Sequence, residues 1–89
     1  MKVKKTVIVR PPSGLHARPA MEIVQILQHS RSRARILYED RLIDAHSILS
    51  LLSLAAPCGT AITLMVEGVD AKVTLKKLIE TLSRNTDEP

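Results

Sequence analysis

Residues Ser13-Gly14-Leu15-His16-Ala17-Arg18-Pro19-Ala20 place an imidazole and a guanidinium two positions apart where a helix is expected to begin. The first peptide N–H groups of a helix have no intrahelical acceptor, and the helix dipole makes that end positive. A neutral imidazole is nucleophilic through one nitrogen while the other is fixed by a hydrogen bond. A phosphoryl group on His16 would add roughly two negative charges. The Ala17 backbone N–H and the Arg18 guanidinium are the groups placed to offset them. No carboxylate lies between Pro11 and Met21 to oppose that charge. Reversible phosphoryl transfer at His16 is the chemistry these residue types support. The plainer reading of a lone histidine, a surface polar residue, stands beside it.

Other chemistries find little footing. There is no Gly-rich phosphate loop ending in Gly-Lys and no nucleophile elbow, so an autonomous kinase or hydrolase is not expected. His29 and His46 fall in predicted loop or pre-helix positions and read as solvated. Cys58, the single cysteine, cannot form an internal disulfide, and it reads as an ordinary loop residue in Ala56-Pro57-Cys58-Gly59. No metal site and no cofactor are expected. The net charge of +4 suggests acidic partners. Tyr38 is the one aromatic residue, so no platform exists for stacking single-stranded nucleic acid. A nucleic-acid binder would rest on charge alone. No apolar run approaches the roughly 20 residues of a membrane span, and Thr6-Val7-Ile8-Val9 is too short for a signal core. A cytoplasmic location is the expectation.

The elements that would position His16 follow from periodicity. Residues 3–9 alternate as a strand, with Val7 and Val9 on one side, and Pro11-Pro12-Ser13-Gly14 ends it. Ala20, Ile23, Val24 and Leu27 recur at helical spacing and predict a helix over 17–28. Pro19 lies in its first turn, where a missing N–H costs nothing. It disfavours a helical Arg18, so a strained or non-helical start is expected. Residues 33–38 form a second strand, with Ala34, Ile36 and Tyr38 on one face. A short third strand spans 42–44, with Ile43 inward. No glycine stands at Glu39-Asp40-Arg41, so a loose turn is expected between them.

Ser47 is placed to N-cap a second helix over 48–54. That helix carries two apolar stripes, one of Leu51, Leu54 and Ala55 and one of Ile48, Leu49 and Leu52. A helix on a small sheet buries one stripe. The other is either covered by another element or exposed as a docking patch. Residues 60–67 are a strand with Ile62, Leu64 and Val66 on one face. Asp70 caps a last helix over 71–83, with Leu75, Leu78, Ile79 and Leu82 as its core stripe, and residues 84–89 read as a frayed polar tail. The order β-α-β-β-α-β-α over one domain, residues 1–89, predicts an α+β open-faced sandwich. In it a four-stranded antiparallel sheet is covered on one face by three helices.

The Gly-Leu-His-Ala-Arg-Pro-Ala motif and Ser47-Ile48-Leu49-Ser50-Leu51-Leu52-Ser53-Leu54 resemble HPr, the histidine-containing phosphocarrier family of the bacterial phosphoenolpyruvate-dependent phosphotransferase system. The resemblance covers nearly the whole chain. It implies the HPr-like sandwich and a phosphoryl-transfer intermediate, not an enzyme. His16 would take a phosphoryl group on Nδ1 from phosphorylated enzyme I and pass it to A-type domains of enzyme II, with Arg18 assisting. Leu15, Ile48, Leu49 and Leu52 would meet partners. Ser47 would match the serine that an HPr kinase/phosphorylase modifies in some members. A carrier alternating between partners is best served as a monomer. His46 stands where many members have lysine, and Ala20-Met21 and Leu51-Leu52 resemble the nitrogen-type branch. The alternative is accordingly a regulatory interaction module without a role in sugar transport.

Overall fold

The computed structural model describes residues 1–85 and places seven elements in the expected order. These are β1 (Lys2–Ile8), α1 (Ala17–Gln28), β2 (Ser32–Tyr38), β3 (Arg41–Asp44), α2 (Ile48–Leu54), β4 (Ala61–Gly68) and α3 (Ala71–Leu82). The sheet is antiparallel throughout, in the order β1-β4-β2-β3. The three helices cover one face, giving the α+β open-faced sandwich.

Alternation along the strands sets which face is covered. Ile62, Leu64 and Val66 of β4 are each 1% exposed; Val66 and Leu64 oppose Ala34 and Ile36 of β2 in register, and Ile62 opposes Val7 of β1. Ile23 and Leu27 of α1, Leu51 and Leu54 of α2, and Leu78 and Leu82 of α3 close over them. Each fully buried aliphatic of this kind contributes about 1.5–3 kcal/mol, so the two-layer core carries most of the folding free energy. Among the described residues no helix is long and apolar enough to cross a membrane.

Six local expectations are corrected. Arg18 is helical, within an α1 that starts at Ala17, and Pro19 at the third helical position removes only an N–H that has no intrahelical acceptor. The β2–β3 turn is tight: Tyr38 pairs with Arg41, leaving two loop residues, and Glu39 takes the positive φ (57°) that glycine would otherwise supply. The α3 stripe is rotated: Thr74 and Thr81 are buried while Leu75 and Ile79 are only partly covered. Asp70 makes no side-chain cap to α3; its carboxylate accepts from the Ser32 hydroxyl and, at 3.0 Å, from the Arg31 N–H. Ala55 leaves the buried stripe of α2 to become its left-handed, exposed C-cap. Arg84 is not frayed but pairs with Glu22 of α1, while the rest of the expected tail, 86–89, lies outside the described residues.

Those bonds from Ser32 and Arg31 hold the Asp70 carboxyl below the usual carboxylate range, against a smaller opposing effect of desolvation. A depressed folded-state pKa stabilises wherever the carboxylate is charged and is lost as pH falls through the folded value. The stability difference between the wild type and Asp70→Asn is therefore full at neutral pH and closes below about pH 4, as followed by urea unfolding. At the hairpin, Glu39→Gly relieves a left-handed residue at some cost in chain entropy. A net gain of about 0.5–1 kcal/mol in the same assay is expected.

Candidate functional site

His16 is the N-cap residue of α1, with extended backbone (φ −108°, ψ −166°), and its side chain does not cap the helix. The helix ladder opens with the Ala20 N–H donating to the His16 carbonyl at 3.0 Å. Of the residues between them, Pro19 has no N–H, and those of Ala17 and Arg18 have no intrahelical acceptor. There is no acidic residue in the first turn. Glu22, farther along α1, is engaged by Arg84. His16 is half-buried, while Ala17 and Arg18 are exposed at the rim. The arrangement is a positive helix end with an imidazole beside it.

What aims His16 is the turn before it. Gly14 has φ +76°, and its N–H donates to the Pro11 carbonyl at 2.8 Å. The Leu15 N–H donates to the Ala56 carbonyl at 2.9 Å, and the His16 N–H to the Gly14 carbonyl at 3.0 Å. The loop after α2 thus forms the floor of the turn. That loop is itself held by β1, since the Gly59 N–H donates to the Val9 carbonyl at 2.7 Å. Cys58 belongs to this floor: it is exposed, and its thiol reaches the Arg10 carbonyl at 3.4 Å.

The second cluster is on α2. Ser47 is its N-cap, accepting from the Ser50 N–H at 3.2 Å, and is half-buried. Leu51 and Leu54 are buried, whereas Leu49 is 76% and Leu52 38% exposed, with Ile48 half-buried between. The surplus stripe is therefore not covered by any described element. Ser47 caps the end of α2 remote from the His16 turn, about 10 Å of helix away. Arg41 fixes the other end, its guanidinium donating to the Ser53 carbonyl and hydroxyl at 3.0 and 3.1 Å.

Two expected roles change. Leu15, expected to meet partners, is 3% exposed: it is the core anchor of the turn, and its side chain offers no contact area. His46 is not simply solvated: its Nε2 accepts the Ala34 N–H at 3.2 Å, extending the sheet past the end of β3. Met21 is 51% exposed on α1, off the Ala20/Ile23/Val24/Leu27 stripe. The floor formed by residues 56–58 left no signal in spacing, because a long-range backbone contact has no periodicity.

A family model described as "PTS HPr component phosphorylation site" matches residues 3–84. The chain is 38% identical over 86 residues to the phosphocarrier protein HPr of Treponema pallidum, covering 97% of each. It is 38% identical over 76 residues to the HPr-like protein Crh of Bacillus subtilis, covering 85% of this chain and 89% of that one. Its fold is similar to the crystal structure of a phosphocarrier protein HPr from Bacillus anthracis, with a TM-score of 0.85 and 34% identity over 91% of this chain and 96% of that one.

A Cβ at Gly14 would lie 2.5 Å from the Ala56 carbonyl oxygen, in a left-handed backbone. Gly14→Ala is expected to cost about 2–3 kcal/mol in chemical unfolding. Gly59 has φ +94° but open space at its Cβ. Gly59→Ala should cost only the conformational strain, about 1 kcal/mol.

Proposed function

This chain belongs to the HPr family of the phosphotransferase system, and on that footing we propose that residues 1–89 act as one phosphocarrier domain with His16 as the acceptor. In the accepting step a ring nitrogen of His16, Nδ1 by family likeness, attacks the phosphorus carried by phosphorylated enzyme I. A P–N bond forms on His16 as the bond to the enzyme I donor breaks, and the donor keeps that electron pair. The reverse geometry delivers the group to an A-type domain of enzyme II. Neither step consumes a cofactor or metal, and the chain is an intermediate in transfer, not an enzyme. The single observation that carries the reading is the half-buried imidazole at a helix start with no acidic residue in its first turn.

Each residue has a physical part. The Ala17 N–H and the Arg18 guanidinium offset the charge that arrives, and fixed donors of this kind act without reorganisation during transfer. Ile48, Leu49 and Leu52 give partners an apolar surface whose desolvation supplies affinity. Phosphorylation of Ser47 by an HPr kinase/phosphorylase would set negative charge at the edge of that surface and oppose acidic partners. The protein acts as a cytoplasmic monomer that exchanges partners. The likeness to Crh favours a second reading, a regulatory module in which Ser47 and the α2 surface control another protein without onward transfer.

Incubation with phosphoenolpyruvate and a compatible enzyme I is expected to give an acid-labile phosphoprotein, absent in His16→Ala. Full labelling of that variant would overturn the assignment. Leu49→Asp and Leu52→Asp should each raise the apparent KM for enzyme I about tenfold or more while His16 remains phosphorylatable, as for a truncated interface anchor. Transfer of label from the phosphoprotein to an A-type domain separates the two readings: the carrier passes it on, the regulatory module does not.

A further inference from the structure

The sheet face away from the helices carries three rows of side chains, fixed by strand register. Lys2, Glu67 and Arg33 form the first, and Lys4, Met65, Arg35 and Asp44 the second. Thr6, Thr63, Leu37 and Leu42 form the third. The first two rows line an open groove of about 880 Å³. It holds four cations against two carboxylates, and Glu67 is already engaged by Lys2 at 3.7 Å. Lys4, Arg33 and Arg35 make no ion pair or side-chain hydrogen bond with any described residue. Met65 is half-buried on the floor between them, and Leu37 and Leu42, 36% and 48% exposed, continue the face as an apolar shelf.

We propose that this open sheet face is a docking surface for an extended acidic protein segment. Charge and spacing together select this occupant. Lys2 and Lys4 on β1, and Arg33 and Arg35 on β2, are each two residues apart, hence about 6.6 Å along the strand. An extended peptide repeats its same-side residues at that interval, so carboxylates at alternate positions match both columns of cations while the segment lies along β4 over Met65. Arg33 and Arg35 each offer a carboxylate a two-pronged donor set. An open groove continued by an apolar shelf favours a protein segment over nucleic acid, since no aromatic ring is available for stacking. A compact metabolite fits less well, because a groove this open to solvent leaves uncovered much of the surface that such ligands bury.

The surface is also independent of the phosphoryl site. His16 lies on the helix side beyond the Ile8–Ala61 end of the sheet, whereas the cations sit around the Lys2–Glu67 end, six residues of strand or about 20 Å away. The chain can then hold an acidic segment on one side while a partner engages α2 on the other.

The probe is a 12-residue peptide of repeating Glu-Leu-Glu-Gly, titrated into 15N-labelled protein at low salt, with a dT12 oligonucleotide and inorganic tripolyphosphate as parallel arms. Saturable amide shifts are expected at Lys4, Arg33, Arg35 and Met65, with affinity at least tenfold above either comparison ligand. Arg33→Glu/Arg35→Glu should lower that affinity at least tenfold, and Leu49→Asp should leave it unchanged. Because Arg35 stands opposite Asp44, Lys2→Gln/Lys4→Gln provides a second variant, expected to weaken binding severalfold with the fold intact by circular dichroism. Equal or tighter binding of dT12 or tripolyphosphate, shifts confined to α2 or α3, or no saturable shift would each overturn the proposal.

Discussion

One backbone contact governs the candidate site: the Leu15 N–H donating to the Ala56 carbonyl across a turn that only a left-handed Gly14 closes. A side chain at position 14 would occupy the space of that carbonyl. The contact clamps two segments far apart in sequence, the entry to α1 and the exit from α2, and the buried Leu15 side chain locks it into the core. His16 is the first residue past the clamp. Its orientation therefore depends on loop 56–58, and through the Gly59 bond on the end of β1. A functional side chain that must keep its direction toward different partners gains from resting on rigid supports.

The second helix is shaped by a conflict between burial and exposure. Seven residues give two turns, and four of the seven are leucines and a fifth is isoleucine. Leu51 and Leu54 satisfy the core, so Leu49 and Leu52 are left in solvent at a cost that folding alone does not justify. Arg41 and the Ser47 cap hold this short, otherwise marginal helix at its two ends. Ser47 thus contributes to the stability of the same helix that carries the exposed leucines. Any modification of its hydroxyl changes both the cap and the charge at the surface.

Much of this was legible in the chain itself. The boundaries of α1 and α2 follow from the Ala20/Ile23/Val24/Leu27 spacing and from Ser47, because a local period and a local cap determine them. The alternation of Ile62, Leu64 and Val66 set the covered face of β4 for the same reason. What escaped was non-local. Leu15, which the family resemblance sets among the partner contacts, is turned inward by the Ala56 contact. Asp70 reads as a cap, yet a strand end 38 residues away supplies a better partner in Ser32. The tight hairpin at Glu39 shows strand pairing imposing a left-handed residue where local preference opposes it. The polar face of the sheet was invisible in the same sense, since Lys2, Lys4, Arg33 and Arg35 become neighbours only once β4 lies between β1 and β2.

The most direct test of the central claim observes the phosphorus itself. In 31P NMR of the protein with phosphoenolpyruvate and catalytic enzyme I, one phosphoramidate resonance is expected. In a 15N-histidine sample, that resonance should couple to a His16 ring nitrogen and collapse when an A-type domain is added. A phosphoester signal instead, or a phosphoramidate signal that persists in His16→Ala, would contradict it.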